Sequence, residues 1–236
     1  MIGVFDSGVG GLVSYGELRR LLPREDIIYL ADRRNAPYGT KDKEELIRLV
    51  RADLKRLKEL GAEEILVACC TASTVCPLLP KEETERLVTI IQPTANRLLD
   101  LEKRNDSAVR AAVIATEHTV KVKAFSNEIS KRLPRALVTE IPAQKLVSFV
   151  EEGARDGNLR ADAEEYLDRL LYKVSLRDPE YVLLGCTHFS HLEEEIGKRL
   201  PGVKILNPAK LGAMTLSELI KAKNKKHGSG KSLYTE

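Results

Sequence analysis

"EEILVACCTAST", residues 63–74, runs from a short apolar stretch into two adjacent thiols, Cys69 and Cys70, and then into small hydroxylated residues. The apolar part is rich in Ile, Leu and Val and reads as a buried strand, and the small polar residues after it read as the start of a helix. The same order returns in "YVLLGCTHF", residues 181–189, where Cys186 takes the thiol's place. A strand that hands a cysteine to a helix start, twice in one chain, makes the pair of thiols the object to explain.

Working outward, "IGVFD", "DIIYLAD", "VTIIQP", "AAVIAT", "ALVTEIPA" and "VKILNPA" read as further buried strands closed by turn residues. Amphipathic stretches separate them. The clearest spans about Asp42 to Leu60, with Leu46, Leu49, Val50, Leu54, Leu57 and Leu60 on one stripe, an Asp42/Glu45 capping pair and Gly61 as its stop. Strand and helix in alternation predict an α/β chain with mostly parallel sheets. The expected organisation is two similar doubly wound domains, residues 1–92 plus 207–236 and residues 93–206, with the active site in the cleft between them. Ligands of such sheets bind beyond the carboxyl ends of the strands, where strand order reverses. Asp6, Asp32, Cys69, Thr116 and Cys186 all fall at or just past a predicted strand end. A faint duplication pairs "IGVFDSG" and "EEILVACCTAS" with "AAVIATEH" and "PEYVLLGCTHF". It would set the two thiols on opposite walls of one cleft. The lysine-rich tail "KAKNKKHGSGKSLYTE" is expected to fray in solvent.

Composition removes several classes of function. The 236 residues are 43% hydrophobic and 31% charged, ordinary for a globular protein, and no run approaches the roughly 18 apolar residues of a membrane span. The opening "IGVFDSG" has no basic and apolar leader pattern, so the cytoplasm is the expected compartment. Four cysteines are too few for a disulfide scaffold and would stay thiols in a reducing compartment. A net charge of +3, with basic and acidic residues interspersed, gives nucleic-acid binding little support.

"DSGVGG", residues 6–11, follows a strand and precedes a helix, so its backbone N–H groups can approach an anion, yet it lacks the Lys of a P-loop and the spacing of a dinucleotide loop. Asp6 suits an ammonium or a thiol as partner; the plainer reading makes it the cap of a tight turn. "APYGTK", residues 36–41, reads as a turn in which Tyr38 could shield a pocket and the N–H groups around Gly39 could hold a carboxylate. Most unpaired cysteines are small buried hydrophobes. Cys69 and Cys186, however, sit where a helix N-terminus would favour the thiolate. Cys70 should point away from Cys69, and Cys76 reads as packing. In "CTHFSH" the set Cys186, His188 and His191 could bind zinc, although the spacing matches no familiar zinc pattern.

"DSGVGG", "PYGT", "ACCTAS" and "GCTH", in that order, resemble the signature of bacterial glutamate racemases, members of the cofactor-independent aspartate/glutamate racemase superfamily. "EDIIYLAD", "VIATEHT", "FVEEG" and "ILNPA" extend the likeness over nearly the whole chain. The resemblance implies exchange of L- and D-glutamate, supplying D-glutamate for peptidoglycan, with no metal and no organic cofactor. It also implies glutamate as the small-molecule partner and a homodimer. It makes Cys69 and Cys186 the two bases, with Asp6 tuning the first and His188 with Glu151 tuning the second. By the same likeness Ser7, Tyr38, Gly39, Thr71 and Thr187 bind the substrate's charged groups, and Thr116 and Thr119 are their neighbours. Two departures stand out. Cys70 replaces the family's Asn, removing an amide that both donates and accepts, and "HFSHL" replaces the more usual H-Y-P. An aspartate or related amino-acid racemase, or a non-catalytic zinc- or anion-binding module, are the competing expectations.

Overall fold

The computed structural model describes residues 1–105, 107–156, 160–223 and 228–236. Its strands are β1 (Ile2–Asp6), β2 (Ile27–Ala31), β3 (Glu64–Val67), β4 (Leu87–Thr89), β5 (Arg110–Ala115), β6 (Leu137–Pro142), β7 (Tyr181–Gly185), β8 (Lys204–Leu206) and β9 (Ser232–Thr235). The chain divides into two compact units, Met1–Pro93 with Ala209–Glu236, and Thr94–Pro208. In the first unit a sheet runs β4-β3-β1-β2-β9; in the second the order is β6-β5-β7-β8, and the pairings in both sheets are parallel. Read from β2 and from β6, the two sheets share one order, β2-β1-β3-β4 and β6-β5-β7-β8, with β9 as the addition.

The central strands are covered on both faces: every residue of β1, β2, β3 and β7 is buried, and all but Asp6 and Glu64 at their ends are uncharged. In the first unit the sheet side chains Phe5, Leu30 and Val67 pack with Leu46, Val50, Leu54 and Leu57 of the helix Lys43–Glu59. Burying one such Leu is worth about 1.5–3 kcal/mol, so this stripe binds helix to sheet. That helix starts where its sequence predicts, with the Asp42 carboxylate accepting the Glu45 N–H at 2.8 Å, and it is closed by Gly61 at φ +94°. The Glu45 carboxylate does not complete the box; it pairs with Lys41 at 2.9 Å. In the second unit Ile114, Val182 and Leu184 pack with Leu146, Val150, Leu167 and Leu171.

Strand order reverses between β1 and β3 in the first sheet, and between β5 and β7 in the second. Register then decides which side chains emerge there. Phe5 lies opposite Val67, and Ala115 lies opposite Gly185, so Asp6 and Cys69 leave one reversal and Thr116 and Cys186 leave the other. Gly185 permits the second arrangement. A Cβ on it would lie 2.7 Å from Cβ of Ala115 and 2.9 Å from the Ile114 carbonyl oxygen.

Two expectations need correction. "VTIIQP" is strand only as far as Thr89; the helix Ile91–Asn105 begins within it, with Pro93 in the first turn, where a missing N–H costs no helical hydrogen bond. The tail does not fray at its end. Residues 232–235 form β9, an edge strand in register with Ile27–Leu30. Asp26 anchors it by accepting the N–H groups of Ser229 and Lys231 at 3.0 and 2.8 Å, and Tyr234 stacks on Tyr29 with ring centroids 5.5 Å apart. Pairing across some two hundred residues leaves no local pattern in the sequence, which is why a short run after a lysine-rich segment reads as loose. Residues 224–227 of that tail lie outside the described residues.

Candidate active site

In the first unit, β1 ends on Asp6, which is wholly buried. Its Oδ1 accepts the Gly8 N–H at 2.9 Å, so the carboxylate folds the chain back on itself before the helix Leu12–Leu21 begins. Gly11 leaves room for it: a Cβ there would sit 2.5 Å from Cβ of Asp6. Tyr29 supports the turn from β2, its hydroxyl donating to the Gly8 carbonyl at 2.7 Å. Burial pushes the Tyr29 hydroxyl above its ordinary range, the charge of Asp6 adds to that, and the group stays a donor.

Cys69 follows β3 and caps the helix Cys70–Val75, its Sγ accepting the Ala72 N–H at 3.5 Å. The hydroxyl of Ser7 lies 3.5 Å from the same sulfur. Ser73 fastens the junction by reaching back to the carbonyls of Val67 and Cys69 at 3.2 and 2.9 Å. One backbone N–H and one hydroxyl therefore face this sulfur at a helix start, donors of the kind that favour a thiolate. Cys70 and Thr71 open the helix, and both are buried. Cys76 is buried too; its thiol donates to the Ala72 carbonyl at 3.4 Å and burial pushes it up to about 12, leaving it a packing residue. None of the four cysteines is in a disulfide.

Tyr38 and Gly39 lie in a 3-10 turn, Tyr38–Thr40, and both are buried. The Tyr38 ring meets Phe5 edge-on at 6.1 Å, and its hydroxyl oxygen lies between two carboxyl groups, 2.6 Å from Asp32 and 2.8 Å from Asp53. Asp32, just past β2, caps the next turn and takes both oxygens to the Asn35 amide. With its hydroxyl so engaged, Tyr38 leaves the backbone of the turn as the part that can meet a ligand.

In the second unit, Cys186 follows β7 in extended conformation and enters a 3-10 stretch, Thr187–Leu192. Sequence reasoning gave Cys186 the same helix entry as Cys69, with His188 two residues on; the structure has a 3-10 stretch there and sets the imidazole beside the sulfur. Sγ lies 3.7 Å from Nδ1 of His188, and Nε2 of His188 lies 3.1 Å from the Glu151 carboxylate, on the helix Gln144–Asp156. Glu151 thus fixes the ring so that Nδ1 faces the thiol, the usual way a carboxylate orients a histidine. Thr116, after β5, caps a short helix through the Thr119 N–H at 3.4 Å, and the two hydroxyls lie 2.9 Å apart, both buried. Thr187 is buried beside Cys186. His191 is half-buried, and burial, with the neighbouring His188 charge, holds it below the ordinary imidazole range. Among the described residues no group of three or more His, Cys, Asp or Glu side chains is arranged to hold a metal. Likewise no helix among them is long and apolar enough to cross a membrane.

The Asp6, Ser7 and Cys69 group belongs to the first unit, and the Cys186, His188 and Glu151 group to the second. A family model described as Asp/Glu/Hydantoin racemase matches residues 17–216. The chain belongs to that family. It is 32% identical to the glutamate racemase of Campylobacter curvus over 98% of this chain and 87% of that protein. Among solved structures it is similar to the glutamate racemase of Francisella tularensis in complex with D-glutamate, with TM-score 0.86, 28% identity and coverage of 99% of this chain and 86% of that one. The Escherichia coli glutamate racemase in complex with L-glutamate aligns at TM-score 0.79 and 31% identity, over 99% of this chain and 87% of that one. Racemases of this family share the pattern of two parallel sheets found here.

Sequence reasoning missed Asn35, Tyr29 and Asp53. Asn35 and Tyr29 carry no motif. Asp53 did leave a signal, because it falls three residues after Val50 and four before Leu57, on the apolar stripe of its helix. A carboxyl on a buried face has to find a partner.

Proposed function

We propose that this chain interconverts L- and D-glutamate by a two-base proton transfer at the α-carbon, using Cys69 and Cys186 and neither a metal nor an organic cofactor. The observation that carries the reading is that each unit ends a central strand on a buried thiol at the reversal of strand order, each with its own polar partner. Relatives similar along nearly their whole length, in complex with D-glutamate in one case and L-glutamate in another, support the substrate.

In this reading one thiolate takes the α-hydrogen as a proton, and the electron pair left on carbon is delocalised into the α-carboxylate. The other thiol then gives its proton to the opposite face, so a thiol and a thiolate have exchanged places and the reverse reaction can begin. Asp6 adjusts Cys69 through the turn that carries Ser7, and His188, oriented by Glu151, exchanges a proton with Cys186. Ser7, Thr71 and Thr187 and the N–H groups of the Tyr38–Gly39 turn are assigned to the substrate's charged groups, with Cys70, Thr116 and Thr119 next to them. The product would supply peptidoglycan synthesis in the cytoplasm, and the chain would work as a homodimer, which light scattering of the purified protein tests.

The deciding experiment follows the circular dichroism of L- and D-glutamate, then of aspartate, in deuterated water with chelator present. Decay of the glutamate signal with deuterium entering the α-position is expected. Turnover of aspartate alone would move the substrate within the family, and exchange with neither would sink the reading.

A further inference from the structure

Tyr38 has one hydroxyl hydrogen and two carboxyl neighbours. Its oxygen lies 2.6 Å from Oδ2 of Asp32 and 2.8 Å from Oδ2 of Asp53. One O–H can donate to only one of them, and an ionised carboxylate offers no hydrogen in return, so the second contact requires an acid that brings its own proton. The surroundings say which carboxyl that is. Both oxygens of Asp32 already accept from Nδ2 of Asn35 at 2.9 Å, and Oδ1 also accepts the Asn35 backbone N–H at 3.3 Å, so Asp32 is the acceptor of the pair. Asp53 projects instead from the apolar stripe of the helix Lys43–Glu59, half-buried among leucines.

We propose that Asp53 is a positioning residue held in its protonated form: its acid hydrogen bonds the Tyr38 oxygen, Tyr38 donates to the Asp32 carboxylate, and this chain fixes the Tyr38–Thr40 turn. The substrate role of that turn rests on the reading given under Proposed function. Burial pushes the Asp53 carboxyl up to about 7; the charge of Asp32 acts in the same direction and the Tyr38 hydrogen bond against it. The elements packed against this helix bring Asp6 from β1, Tyr29 from β2 and the thiols Cys70 and Cys76 from the segment after β3, and the groups that act on Asp53 are Tyr38 and Asp32. The turn itself packs against the helix Cys70–Val75, so it is tied to the segment that Cys69 caps. When Asp53 ionises, two carboxylates compete for one hydrogen, the link to the 43–59 helix is lost, and the turn's N–H groups are held less firmly for an anion.

Two measurements on the full chain test this. In carbon-13 spectra of protein labelled at the aspartate carboxyl, one resonance should titrate near pH 7 and be missing from Asp53→Asn. This readout needs no activity. In steady-state assays the ratio of wild-type KM to Asp53→Asn KM for glutamate should rise by about 5-fold between pH 6 and pH 8.5, the size of one lost hydrogen bond, because the amide of Asn can donate to Tyr38 at every pH. Wild-type and variant kcat should change in parallel. Absence of any aspartate carboxyl titrating above pH 6 overturns the proposal, as does a KM ratio independent of pH. If the titration is present but neither enantiomer of glutamate is turned over, the substrate role is overturned together with the functional reading while the protonated Asp53 stands.

Discussion

Sγ of Cys186 and Nδ1 of His188 lie 3.7 Å apart, with the imidazole held from behind by Glu151. At Cys69 the sulfur meets the Ser7 hydroxyl and a backbone N–H. These neighbours of the two sulfurs differ in kind, and variants at the two sites should fail differently.

Glu151→Gln removes the charge that favours an imidazolium beside Cys186 while keeping a side chain that can still orient the ring. kcat should fall about 10- to 100-fold, within the range of general acid–base effects, and KM should change far less. The pH limb belonging to the Cys186 and His188 pair should move to lower pH, because a histidine without its carboxylate loses its proton more easily. An unchanged profile would remove Glu151 from the proton path.

Cys69→Ala and Cys186→Ala should each lower racemisation by at least about 100-fold, since each takes away one of the two proton-transfer groups. A single remaining base reaches one face of the α-carbon only, so the informative result is loss of inversion in both variants. Cys76→Ala should keep its activity and lose about 1 kcal/mol of stability from the vacated packing. Full racemisation by either Cys69→Ala or Cys186→Ala defeats the two-base mechanism.

Cys70 is buried at the first position of the helix that Cys69 caps. Restoring an amide by Cys70→Asn should lower KM for glutamate about 5-fold, equivalent to one regained hydrogen bond. If KM rises and another amino acid is turned over faster by the wild type, the substrate is not glutamate.

Asp53 also predicts a pH dependence of folding. Its folded-state value of about 7 exceeds the ordinary 3.8, so between those values the folded chain holds a proton that the unfolded chain has lost. This contribution is fully present below about pH 4, declines as pH rises toward 7 and is flat beyond. Thermal denaturation of wild type minus Asp53→Asn should show that decline, and a difference that grows with pH instead would reverse the assignment.

Deletion of residues 228–236 should lower the melting temperature and weaken the site by one route. It removes Tyr234 from Tyr29, which holds the Gly8 carbonyl beside Asp6. Tyr234→Ala should cost about 0.5–1.5 kcal/mol, the size of an aromatic pair, with β9 otherwise kept. A deletion with unchanged melting would make the strand an ornament of the edge.

The alternation of strand and helix, the 43–59 helix with its cap and stop, and the position of both thiols at strand ends are legible from the residues alone, because each of these is written in neighbouring positions. Burial of both sheet faces demands continuous apolar runs, and a helix demands its stripe, so their periods are visible without coordinates. Three other features come from contacts between distant elements. The register of β1 with β3 and of β5 with β7 chose which side chains leave each strand reversal. The closing strand β9 found its partner in β2, far away in the chain. The hydrogen-bond chain from Asp53 through Tyr38 to Asp32 arises because a turn and a helix bring three oxygens within hydrogen-bonding distance, and no local pattern encodes a distance between elements.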